Sequence, residues 1–166
     1  FMRAADPHLG ALALFMFTTA ARIGEATRIT WDDVDLHERI AYIAKTKMGQ
    51  ARDALLTHEM VAVIANLPRD HDRVSRYSSR AGHTYRLWRE ACERAGIAYV
   101  PPHQAGRHSF ATEMVVRNGV DPVTAAKAGG YSTQVMQKVY AHSERERDAV
   151  DDVMGGNIPA VRNIGE

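Results

Sequence analysis

The first long apolar stretch covers residues 7 to 20, where Leu9, Leu12, Leu14, Phe15 and Phe17 leave almost no polar face. A helix apolar nearly all round belongs inside a core. Thr18-Thr19-Ala20-Ala21 interrupts it before Arg22, and a second helix is expected over Ile23 to Ile29. Trp31-Asp32-Asp33-Val34-Asp35 reads as a turn into strands. Ile40, Tyr42 and Ala44 then alternate with Ala41, Ile43 and Lys45, and residues 51 to 56 form a second short run. Lys47-Met48-Gly49-Gln50 supplies a glycine-bearing turn between the two runs, which predicts a β-hairpin.

Beyond the hairpin the period becomes helical. Thr57 caps a helix running to about Asn66, stopped by Pro68. Residues 69 to 81, rich in Arg and Ser and without period, read as an exposed connection. A helix is expected over His83 to Ala95, ended by Gly96, and Pro101-Pro102 breaks the chain. The pattern returns from Gln104 to Asn118, with Phe110, Met114 and Val115 as its apolar face and Gly119 as its stop. Asp121-Pro122 opens a short helix that ends at Gly129-Gly130. Ser132 caps another, bearing Val135, Met136, Val139 and Tyr140. Ser143-Glu144-Arg145-Glu146 has capping-box spacing and starts a last helix closed by Gly155-Gly156. The expectation is a mainly α protein with one small antiparallel β-sheet (α+β): one domain over residues 1–156 and a C-terminal tail over 157–166.

Composition adds exclusions. With 166 residues, 45% hydrophobic and 25% charged, the chain suits a single globular domain. A net charge of +1 is weak for a nucleic-acid binder, so charge alone does not lead to DNA. The single cysteine, Cys92, excludes a disulfide framework and a Cys-rich zinc site, and its helical surroundings suit a packed thiol. No signal peptide opens the chain and no apolar run spans a bilayer, so a cytoplasmic protein is the default. The immediate entry into a helix suggests a start at a domain boundary.

Four islands carry candidate chemistry: Ala21-Arg22-Ile23-Gly24-Glu25-Ala26; Lys45-Thr46-Lys47-Met48-Gly49-Gln50-Ala51-Arg52; Pro102-His103-Gln104-Ala105-Gly106-Arg107-His108-Ser109-Phe110-Ala111-Thr112; and Gly129-Gly130-Tyr131-Ser132 followed by Tyr140-Ala141-His142. Each alone has an ordinary explanation: an ion-paired Arg, an exposed turn Lys, a local His–Arg pair, a core Tyr. Their order and spacing resemble the tyrosine recombinase (phage integrase) family over about Leu9 to Asp148. Arg22 and Glu25 match its arginine-x-x-glutamate motif, and Thr46-Lys47-Met48-Gly49 matches its hairpin lysine, with Arg52 at the usual place beyond. Arg107-His108-Ser109-Phe110-Ala111-Thr112 matches the motif of its second arginine, and Tyr140 stands nine residues after Tyr131. Two departures stand out. The family histidine lies three residues before the second arginine, where this chain has Gln104; His103 lies four before and is preferred, the extra residue being absorbed by a bulge. Tyr131 replaces the usual His or Trp.

The resemblance implies a tyrosine-recombinase catalytic-domain fold and strand exchange through a 3′-phosphotyrosyl link, with no metal, ATP or other cofactor. Arg22 and Arg107 would fork onto the phosphate oxygens, helped by His103 and a hydrogen bond from Tyr131. Tyr140 would be the nucleophile and Lys47 the acid that protonates the leaving 5′ oxygen. Lys45, Arg52, Arg80 and Arg86 are candidate DNA contacts. The implied partners are double-stranded DNA and further copies of the protein, as a tetramer on DNA for the full-length form. The family's N-terminal DNA-clamping (core-binding) domain is not in this sequence. A non-catalytic helix-turn-helix module around Asp121 to Val139, a helical interaction module and a type IB topoisomerase-like enzyme remain as alternatives.

Overall fold

Asp6 begins the central helix. Its carboxylate accepts the N–H groups of His8 and Leu9, and Pro7 takes the first helical position of α1 (Pro7–Thr19). Leu9, Leu12, Phe15 and Met16 are buried, as the unbroken apolar pattern predicts. Ala20 ends α1 in the left-handed conformation at φ 57°, turning its last carbonyls outward. The computed structural model describes residues 1–44, 50–80 and 82–141.

Helix α2 (Ile23–Ala26) is shorter than the expected Ile23 to Ile29. The Thr27 hydroxyl donates to the Ile23 carbonyl at 2.8 Å and closes the turn, and the chain beyond is drawn into extended pairing. Val74 N–H donates to Ile29 O at 3.0 Å and Trp31 N–H to Asp72 O at 3.1 Å. The stretch 69–81, expected to be an exposed connection, is therefore docked at its middle, with Val74 and Ser75 buried. One apolar anchor plus backbone pairing leaves no period for a sequence reading to detect.

A 3₁₀ turn (Trp31–Asp33) leads into β1 (Val34–Asp35), β2 (Ile40–Ile43) and β3 (Arg52–Leu55), an antiparallel sheet in that order. The expected hairpin is present, and β1 adds a third strand through the pairs Val34↔Ala41 and Asp35↔Ile40. Ala41, Ile43, Ala54 and Leu56 face the core. Side chains two apart on a strand share a face, so Arg52 lies on the inward face with Ala54. The turn bearing Lys45 and Lys47 lies outside the described residues.

Helices α3 (His58–Ala65), capped by the Thr57 hydroxyl, and α4 (Gly82–Arg94) close the main core, in which Trp88 and Cys92 are buried. Residues 104–117 are helical, but not regularly so: a π-turn (Gln104–His108), α5 (Ser109–Ala111) and a second π-turn (Thr112–Arg117). A π-turn accommodates an extra residue within a helix and is frequent at functional sites. Helix α6 (Pro122–Gly129) has its Asp121 cap and ends at Gly130 with φ 61°, and α7 (Thr133–Ala141) follows. Ala20, Phe110, Ala111, Val115, Ala125, Ala126 and Met136 make a second, smaller core. The expected last helix and the 157–166 tail lie outside the described residues. No helix among the described residues is long and apolar enough to cross a membrane.

Candidate active site

The seam between the two cores is where the arginines gather. Ala20 belongs to the smaller core and Ala21 to the larger, so the end of α1 stands between them. A helix end leaves carbonyls without partners and carries partial negative charge. Two guanidiniums use those carbonyls: Arg52 donates to Thr19 O at 2.7 Å and Arg107 to Ala20 O at 3.1 Å. Arg107 also donates to Gly129 O at 3.4 Å and Gly130 O at 3.3 Å, the end of α6. It thus clamps two helix termini, one from each core.

Arg22 stands at the start of α2. Glu25, 7% exposed, accepts the Arg22 backbone N–H and its Nη1, each at 2.9 Å. Glu25 is thus the buried carboxylate that aims Arg22. Arg22, Arg52, Arg107 and Glu25 lie within electrostatic reach of one another. Burial lowers the affinity of Arg52 and Arg107 for their protons, and each also feels Arg22 as a like charge and Glu25 as an opposite one. Three guanidiniums against one carboxylate leave an excess of positive charge, the condition for holding an anion. Arg52 Nη1 is buried and has no hydrogen-bond partner among the described residues.

Tyr131 closes this group from below. Its ring stacks on Phe110 with centroids 6.3 Å apart, and the Arg107 guanidinium carbon lies 3.9 Å from its centroid. Its hydroxyl donates to the backbone carbonyl of Arg107. Burial pushes the Tyr131 phenol up to about 12, against the opposing pull of Arg107, Arg52 and Arg22. In this arrangement the single O–H of the phenol is directed at the Arg107 carbonyl. Two glycines make room. A Cβ on Gly129 would come within 2.3 Å of the Tyr131 ring, and one on Gly130 within 2.5 Å of Arg52 Nε.

His103 is exposed and immediately precedes the π-turn that ends at His108. Ser109 N–H reaches back five residues to Gln104 O in that turn. Gly106 lets this turn pack closely on the end of α1: a Cβ there would meet Met16 at 3.0 Å and Ala21 O at 3.2 Å. No hydrogen bond joins the rings or amides of His103 and Gln104 to the arginines among the described residues. Tyr140 falls in the last turn of α7. Arg80 is exposed, and Arg86 on α4 is paired with Glu90 at 2.7 Å and lies against His83 at 2.9 Å, away from the guanidinium group's own contacts. Arg52, expected as a DNA contact, stands within the guanidinium group, and its shared parity with the apolar Ala54 and Leu56 is the sequence signal that it points inward.

The model of the phage integrase family matches residues 2–147. Tyrosine recombinase XerD of Mycobacterium tuberculosis is 31% identical over 156 residues, covering 82% of this chain and 49% of that protein. XerD of Bifidobacterium longum is 28% identical over 155 residues, covering 82% of this chain and 50% of its own length. The chain thus spans about half the length of these relatives. Among solved structures, the XerA recombinase superposes with a TM-score of 0.69 at 25% identity, covering 95% of this chain and 61% of that one. The catalytic domain of bacteriophage HP1 integrase superposes with a TM-score of 0.66 at 21% identity, covering 91% and 87%.

Proposed function

Because the chain belongs to the phage integrase family, we propose that it is the catalytic domain of a site-specific recombinase that cuts and rejoins DNA through Tyr140. The observation that carries this reading is the convergence of Arg22, Arg52 and Arg107 at the seam of the two cores. A phosphodiester under in-line attack gathers negative charge on its non-bridging oxygens, and preorganised planar donors stabilise that charge. Arg22 and Arg107 take those oxygens. Arg52 is the third cation of the group.

In the cleavage step the Tyr140 oxygen forms a bond to phosphorus as the bond to the 5′ oxygen breaks. His103 assists removal of the tyrosine proton, and Lys47 supplies one to the departing 5′ oxygen. The phosphate stays ester-linked to the 3′ side and to Tyr140, so a second 5′ hydroxyl can reverse the step without ATP. Tyr131 acts here as a positioning residue that fixes Arg107. Lys45, Arg80 and Arg86 serve as phosphate contacts that place the duplex without reading its sequence. The full-length protein works as a tetramer on double-stranded DNA.

A nicked suicide substrate tests this. The expected result is a covalent protein–DNA adduct mapped to Tyr140. Failure to form any adduct with a cognate site, in a protein carrying its DNA-clamping domain, would favour the non-catalytic helix-turn-helix alternative.

A further inference from the structure

At the other end of α1 three side chains meet that the recombination chemistry does not use. His8 is 1% exposed, and its Nδ1 lies 3.1 Å from the Val74 carbonyl. Only an N–H makes that contact favourable, so Nδ1 carries the proton and Nε2 presents a lone pair. Among the described residues, Nε2 is buried and has no hydrogen-bond partner, and both ring nitrogens of His71 are in the same condition. His71 Nε2 is 3.5 Å from Asp70 Oδ1, too long to satisfy either group. The two imidazole rings are 5.5 Å apart at 55°. One nitrogen of each histidine and one oxygen of Asp70 all lie within 4.8 Å of one another.

We infer that His8, His71 and Asp70 form a binding site for a divalent transition-metal cation of the zinc class. The donor set is two imidazoles and a carboxylate, which suits zinc and not calcium or magnesium. Zinc sits about 2.0–2.1 Å from nitrogen, so the donors must close further around it. His71 and Asp70 can do so, since their side chains are 34% and 54% exposed. His8 cannot move, and it is already held as ligand histidines are held: its other nitrogen donates to a carbonyl, which fixes the ring and raises its basicity. The backbone of the opposing segment is pinned too, because Trp31 Nε1 donates to His71 O at 2.9 Å. The side chain that competes for Asp70 is Arg76, at a loose 3.4 Å.

The cation would clip the start of α1 to the segment 70–74, which is otherwise held there by His8–Val74 and by the Tyr77 hydroxyl on Asp6. The site is structural. His8 and Ala20 are separated by about 18 Å of helix at about 1.5 Å per residue, which keeps the cation clear of the arginine pocket.

The test uses untagged protein stripped with a chelator and titrated with zinc chloride. Bound zinc is counted by atomic mass spectrometry and thermal unfolding is followed in parallel. Wild type and the control His83→Ala should each take up one equivalent and melt at a higher temperature. His71→Ala and Asp70→Asn alter partly exposed side chains, so both should fold; each should weaken zinc binding by more than about tenfold and abolish the melting shift. With cobalt in place of zinc, wild type should give the visible absorption of a low-coordinate site, and His71→Ala should not. No saturable uptake by wild type, or uptake and melting shift retained in His71→Ala and Asp70→Asn, would overturn the assignment.

Discussion

Tyr131 donates its hydroxyl proton to the backbone carbonyl of Arg107, and the Arg107 guanidinium lies 3.9 Å from the centroid of the Tyr131 ring. The two residues hold one another by both ends. Tyr131→Phe keeps the ring and leaves a carbonyl unpaired, which should cost about 1–2 kcal/mol in urea unfolding. The single-turnover cleavage rate should fall about tenfold, for the same loss of Arg107 placement. Losing a donor to the reacting phosphate itself would cost about 100- to 1000-fold. The size of the rate loss therefore separates a positioning role from a direct one.

The same burial has a consequence at alkaline pH. The phenols of Tyr131 and Tyr77 are both pushed up to about 12, in each case first by burial; Tyr77 is raised further by its bond to Asp6. A folded-state value above the unfolded value of about 10 means that the unfolded chain releases its proton first. Stability from these groups is complete below about pH 10 and is lost as pH rises toward 12. Tyrosinate absorbance should show two late-ionising tyrosines, and Tyr131→Phe should remove one of them. An early titration of both would contradict the burial described.

Arg52 offers a sharper test of the pocket. Its Nη2 is taken by Thr19 O, while its Nη1 is buried and unpartnered among the described residues. Arg52→Lys keeps a charge and loses the fork, so it should retain DNA binding within a few-fold and lose cleavage by about 100-fold, near the value of one transition-state donor. Equal losses in binding and cleavage would make Arg52 an ordinary phosphate contact.

These residues show what the sequence could and could not tell. Helix α1, the caps at Asp121 and Thr57 and the glycine stops were legible because each is a local pattern with a local cause. The π-turns were not, since hydrophobic period is nearly the same for α and π turns over so few residues; the displaced His103 gave the only hint. Docking of Val74 was hidden because backbone pairing with Ile29 leaves no mark on side-chain type. Arg22 and Arg107 were found by motif, yet the reason they converge is tertiary. Two helix ends from different cores meet at one seam, and no window of sequence contains both.

Lys47 has a chemical test independent of its placement. If it protonates the leaving 5′ oxygen, Lys47→Ala should slow cleavage of an ordinary phosphodiester by about 100- to 10,000-fold, the range for a general acid. A 5′-bridging sulfur leaves as a thiolate and needs no proton. With that substrate the variant should recover to within about tenfold of wild type, near the limit that separates chemistry from other steps. Equal impairment on both substrates would remove Lys47 from the acid role.

Tyr140 carries the central prediction. The covalent step needs its oxygen, whereas α7 needs only a residue of helical habit at that position. Tyr140→Phe removes one hydroxyl and keeps the ring. It should therefore melt within a few degrees of wild type and bind a duplex carrying the site with unchanged affinity at matched salt, since phosphate contacts dominate that affinity. It should give no covalent adduct and no strand exchange. Three of the other tyrosines supply the control. Tyr42 and Tyr99 are exposed, so a promiscuous nucleophile would be found among them, and Tyr131 is committed to Arg107. An adduct that persists in Tyr140→Phe and maps to any of these three would move the nucleophile. Loss of binding along with loss of adduct would show that the substitution had disturbed the pocket, and Tyr140→Phe would then be compared with wild type on a pre-nicked duplex, where a retained nucleophile elsewhere would still trap the strand.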